Sequence, residues 1–92
     1  MLNIFTLNDD VKFSKCLASL KPGDVVVLTG EAVLLLAHPG ITAGTSGEIA
    51  VLSDHAEAFG MVRTASELGI RTLNMTDIVG LIVDMGSPLV WK

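Results

Sequence analysis

The stretch Val25-Val26-Val27-Leu28-Thr29 decides the fold. A continuous β-branched run with no polar alternation describes a strand covered on both faces, as strands of parallel sheets are. Its borders are turn chemistry: Lys21-Pro22-Gly23-Asp24 precedes it and Gly30 breaks it. A strand hidden on both faces needs helices above and below, so the flanking segments should carry helical periodicity.

Towards the N-terminus they do. Leu2 to Thr6 alternates and reads as a first strand, and Asn8-Asp9-Asp10 then offers capping side chains and negative charge at a helix start. Phe13, Cys16, Leu17 and Leu20 follow at i, i+3, i+4 and i+7, one face of a helix. Pro22 disfavours helix in the residue before it and ends the segment.

Beyond Gly30, Glu31 to Ala37 reads as a short helix, and His38 to Gly47, with Pro39, Gly40, Gly44 and Gly47, as a loop. Glu48-Ile49-Ala50-Val51-Leu52 is a third strand. Ser53-Asp54 is expected to cap a helical stretch through Ala56, Ala58 and Phe59, interrupted at Gly60 before Val62 to Leu68. Ile70 to Met75 reads as a fourth strand. Thr76-Asp77 should cap a last helix with Ile78, Val79, Leu81, Ile82 and Met85 facing inward. Gly86-Ser87-Pro88 ends it, leaving Leu89-Val90-Trp91 as a short strand or tail. Strands alternate with helices through short connections, so residues 1–92 should form one small α/β domain. Its sheet is parallel, with helices on both faces.

Composition bounds the function. Half the residues are apolar and the mean hydropathy is +0.61. The longest unbroken apolar run is Ala32 to Ala37, far short of the roughly 18–20 residues that cross a bilayer. Met1-Leu2-Asn3-Ile4-Phe5 has no basic region before a long apolar stretch, so no signal peptide is expected. Surplus apolar residues on so small a domain predict subunit contacts, with partner chains or by self-association. The formal charge of −4 and six scattered basic residues argue against direct nucleic-acid binding. One cysteine without an export signal fits a reducing cytoplasm.

Most familiar chemistries fail on the residues. Leu7-Asn8-Asp9-Asp10, after the first strand, has no glycine and so no dinucleotide fingerprint. Gly40 to Gly47 lacks the lysine of a phosphate loop. His38 and His55 have no second His or Cys at ligand spacing, so no metal site is expected, and nothing in the sequence implies an organic cofactor. No Gly-x-Ser-x-Gly elbow exists for a hydrolase nucleophile. Asp54, His55 and Glu57 gather at a strand-to-helix junction, where α/β folds place ligands but where acidic caps also belong. Cys16 remains. On the Phe13, Leu17, Leu20 stripe it packs as a small apolar residue. Lys12 at i−4 and the adjacent Lys15 would instead favour a reactive thiolate. Both readings stay open on the residues alone.

Several segments together resemble the DsrH/TusB family of small sulfur-relay proteins: Met1 to Ile4, Lys15-Cys16-Leu17 through Gly23 to Leu28, Glu48 to Asp54 followed by Gly60, and Thr76 to Val83 followed by Val90-Trp91. The order and spacing of these segments carry the likeness. The order Gly30-Glu31 departs from the family's acidic-Gly. The resemblance implies a three-layer α/β/α domain with a mostly parallel five-stranded sheet. It also implies a place in a hetero-oligomer with DsrE/DsrF-like or TusC/TusD-like subunits, serving sulfur oxidation or thiolation of a tRNA wobble uridine. The DsrH branch is similar to this chain in carrying a first-helix cysteine followed by leucine. By that likeness Cys16 would carry sulfane sulfur as a persulfide and pass it on by thiolate attack, with Lys12 and Lys15 favouring the anion. The chain would then be a sulfur carrier rather than a stand-alone enzyme. The alternative is a non-catalytic assembly subunit with a buried, inert Cys16. A small-molecule-binding module using Ser53 to Glu57 is a third reading.

Overall fold

The computed structural model describes residues 1–42 and 45–92. Val25–Leu28 (β2) lies inside the sheet with every residue buried, as its unbroken apolar run requires. Strand β1 (Leu2–Phe5) pairs with it on one side and β3 (Glu48–Leu52) on the other, both parallel. Strand β4 (Arg71–Leu73) extends the sheet beyond β3, and β5 (Leu89–Trp91) lies beyond β1. The order is β4-β3-β2-β1-β5, with every neighbouring pair parallel. The direction of winding therefore reverses at β1, and β5 forms an edge.

Side chains alternate across this sheet and build two cores. One face carries α1 (Asp10–Ser19), a 3₁₀ segment (Gly30–Ala37), α2 (Ser53–Ala58) and α3 (Val62–Glu67). Phe13, Cys16, Leu17, Val33, Leu35, Ala56 and Ala65 there meet Phe5, Val26, Leu28, Ile49 and Val51. Among the described residues the other face carries only α4 (Met75–Met85), whose Ile78, Leu81 and Met85 pack on Leu2, Val25, Val27, Ala50, Leu52 and Leu73. Each fully buried large aliphatic or aromatic side chain contributes about 1.5–3 kcal/mol. The three-layer α/β domain of the sequence reading is present, with very unequal outer layers.

Several local expectations change. Helix α4 is capped by Asn74 and not by Thr76-Asp77: the Asn74 side chain accepts the Asp77 N–H, and the Asp77 carboxylate accepts the Asn74 N–H. This reciprocal pair starts the helix at Met75, so β4 stops at Leu73. Val79 and Ile82 do not face inward. They join Met75 and Val83 on the exposed side of α4, because the apolar arc of this helix is wider than the sheet beneath it. Ser53 and Asp54 open α2 without a side-chain cap. The segment after Gly30 is 3₁₀ rather than α, and Gly30 itself turns through φ +57°. Most of the expected loop, His38 to Gly47, carries no regular element, and its Ala43 and Gly44 lie outside the described residues.

Candidate functional site

Helix α1 positions all three residues singled out for chemistry. Its N-cap Asp9 accepts the Lys12 backbone N–H at 3.0 Å, which fixes the first turn. The helical period then turns Phe13, Cys16 and Leu17 onto the sheet and leaves Lys12 and Lys15 in solvent. Phe13 meets Phe5 edge-to-face, with ring centroids 5.1 Å apart. Cys16, in the same core, has no solvent exposure at all.

That position sets the chemistry of the thiol. Burial pushes Cys16 up to about 11, opposite to the lowering expected from Lys12 and Lys15. Desolvation disfavours the anion, and the two ammonium groups sit in water rather than beside the sulfur. Near neutral pH a thiol so shifted is ionised in about one molecule in ten thousand. The thiolate is the nucleophilic form, so burial in this conformation works against nucleophilic chemistry at Cys16.

Lys12 and Lys15 instead overhang the edge strand. With Lys92 they rim an open hollow of about 380 Å³ whose wall is Leu89, Val90 and Trp91. A second hollow adjoins it and shares Leu89 and Trp91, adding Asn3, Ser19, Leu20, Lys21 and Asp24. The groove thus runs between α1 and β5, along the flank of the sheet where strand order reverses. All four lysines of the chain line it. The basic residues expected to be scattered are gathered here, apart from the two arginines.

Two features of this groove lay outside the sequence reading. Asn3 is buried at 3 % exposure on the α1 side, and its Oδ1 accepts the Trp91 Nε1–H at 3.1 Å. Asp24 accepts both the Met1 ammonium and the Lys21 backbone N–H, which holds its carboxyl below the usual carboxylate range. Asn3 stands in an apolar stretch, where a polar residue predicted to be in a strand is the signal that could have been used.

The Ser53 to Glu57 junction is structural in its one defined contact. The His55 Nδ1 accepts the Gly30 N–H at 2.6 Å, tying α2 to the start of the 3₁₀ segment. Among the described residues no three His, Cys, Asp or Glu side chains converge as metal ligands. No helix of the described residues is long and apolar enough to cross a membrane.

No curated protein is similar enough to the chain to count as a relative. The family model described as DsrH like protein matches residues 4–87, from β1 through the end of α4. That span holds β2, β3 and β4, the second half of β1, Cys16 and both α1 lysines, and on this match the chain belongs to the DsrH-like protein family.

Proposed function

We propose that the chain is a non-catalytic assembly subunit of a sulfur-relay complex, built with DsrE/DsrF-like or TusC/TusD-like partners, in which Cys16 is a core residue. Membership of the DsrH-like family supports the sulfur-relay context. The observation that carries the subunit role is the burial of the only thiol, held in its protonated form within the α1 core. A relay step needs a thiolate that a donor persulfide can reach, and a shielded thiol near 11 offers neither access nor charge. The exposed apolar side of α4, with Met75, Val79, Ile82 and Val83, supports assembly, since monomeric domains seldom leave such a stripe in water.

The competing reading keeps Cys16 as the persulfide carrier, reached when α1 opens from the sheet. One experiment separates them. The chain is co-expressed with DsrE-like and DsrF-like chains, the complex is treated with a persulfide donor, and each subunit is weighed intact. The proposed reading expects co-purification, with added sulfur on a partner and none here. A one-sulfur adduct on this chain that disappears in Cys16→Ser overturns it in favour of the carrier. Failure to co-purify overturns the assembly role.

A further inference from the structure

The groove between α1 and β5 combines three properties that the sulfur-relay reading does not use. The first is charge. In a chain of formal charge −4, all four lysines border this one groove. Both arginines are held by carboxylates, Arg63 by Glu67 and Arg71 by Glu48, whereas no lysine side chain carries an ion pair among the described residues. The single acidic lining residue, Asp24, is already engaged by the Met1 ammonium. Around Lys12, Lys15 and Lys92 the described lining contains no aspartate or glutamate side chain.

The second property is an open backbone edge. Among the described residues strand β5 pairs with β1 alone, and the Trp91 carbonyl accepts the Thr6 N–H. Successive residues of a strand turn their backbone groups to opposite sides, so the Val90 N–H and carbonyl point away from the sheet. The third is an apolar wall beside that edge, from Leu89 at 49 % exposure, Val90 at 44 % and the half-buried Trp91 ring.

We propose that this groove binds an extended acidic segment of a partner protein, which adds to the free edge of β5 and places its carboxylates against Lys12, Lys15 and Lys92. Strand addition supplies affinity through backbone pairing, and alternate side chains supply specificity. Here one set would turn to the α1 face, where Leu89, Trp91 and the lysines lie together, and the other to the opposite face beside Val90. A nucleic acid satisfies the charge but not the backbone edge, and the chain's net negative charge repels a long polyanion. Lysines beside an edge strand also guard it from indiscriminate pairing. A guard of this sign turns away basic and neutral strands while admitting an acidic one. Neither the occupancy of this groove nor its test involves Cys16.

Trp91 is the only tryptophan, so its emission reports on the groove directly. The probe is a short peptide alternating glutamate and valine, titrated into the full chain at low salt. Saturable change in Trp91 emission is expected. A matching lysine-valine peptide should give none, and a proline at the centre of the acidic peptide should abolish binding. Lys12→Glu with Lys15→Glu, both on exposed positions of α1, should weaken the acidic peptide about tenfold or more, while Arg63→Glu leaves it unchanged. Circular dichroism checks that the double variant is folded. The proposal is overturned if the acidic peptide gives no saturable change or if the lysine peptide binds equally well. It is also overturned if the double variant binds as wild type, or if a single-stranded oligonucleotide binds more tightly than the acidic peptide.

Discussion

Trp91 donates its indole N–H to the Oδ1 of Asn3, joining the last strand to the first across 88 positions of sequence. The acceptor is the only buried polar residue among those described, and its amide also reaches the Val25 carbonyl at 3.4 Å. Leu89 and Trp91 stand opposite Asn3 and Phe5 in the β1–β5 register, so the bond ties this register to one specific pair of side chains. Trp91→Phe keeps a ring beside Phe5, 6.1 Å away in the native packing, but removes the donor. A buried oxygen left without a partner costs about 1–3 kcal/mol. Urea titration should show a lowered midpoint with an unchanged slope. An unchanged midpoint would mean that the bond contributes nothing.

Burial of Cys16 makes stability depend on alkaline pH. The folded thiol stays protonated up to about 11, whereas in the unfolded chain it ionises near about 8.5. Between those values the unfolded state has lost a proton that the folded state keeps, so stability falls as pH rises and is fully present below the lower value. Cys16→Ala should shift the midpoint at neutral pH through the small cavity it leaves, and should flatten the decline between about pH 8.5 and about pH 11. Parallel pH profiles for wild type and variant would contradict the burial account.

Two glycines predict opposite effects of the same substitution. A Cβ at Gly47 would stand 2.9 Å from the Asp24 carbonyl oxygen and 2.9 Å from the Leu20 Cβ, where the chain re-enters the sheet beside the α1–β2 turn. Gly47→Ala should therefore lose about 1–3 kcal/mol through overpacking. Gly80 sits inside α4 with nothing within 4 Å of the added atom. There Gly80→Ala should gain about 0.5–1 kcal/mol, because alanine loses less backbone freedom in a helix. Denaturant midpoints of the two variants, measured side by side, check both signs.

The exposed side of α4 should be separable from folding. Val83 is 79 % exposed, so Val83→Glu should change stability by no more than about 0.5 kcal/mol. Its effect should appear in assembly, as reduced recovery of partner chains after co-expression. A large loss of stability would mean that Val83 packs within the monomer, and full recovery would remove this side of α4 from the interface.

The parts of this structure that were legible in sequence are those whose signal is local. Val25 to Leu28 reads as a strand buried on both faces because nothing polar interrupts it, and it lies inside the sheet. The spacing of Phe13, Cys16 and Leu17 marks one face of α1, and the structure buries all three, but periodicity alone leaves packing and reactivity of the thiol both open. The Asn74-x-x-Asp77 pattern is a capping box that the more conspicuous Thr76-Asp77 obscured. Periodicity does not distinguish an apolar residue covered by the protein's own sheet from one left exposed, so it assigns Val79 and Ile82 to the inner side although both are exposed. The lysine groove is a product of topology. Lys12 and Lys15 lie far in sequence from Leu89 to Lys92, and only the placing of β5 beside β1 brings them together.

The central claim is that Cys16 is a core residue, and the most direct test is the rate at which a thiol reagent labels it in the native protein, compared with the unfolded protein and as denaturant is added. A fully buried thiol reacts only through opening, so labelling should be slower by several orders of magnitude in the native state and should accelerate with denaturant in step with unfolding. Native labelling at the rate of a free, low-pKa thiol, insensitive to denaturant, would contradict the account and return Cys16 to the role of sulfur carrier.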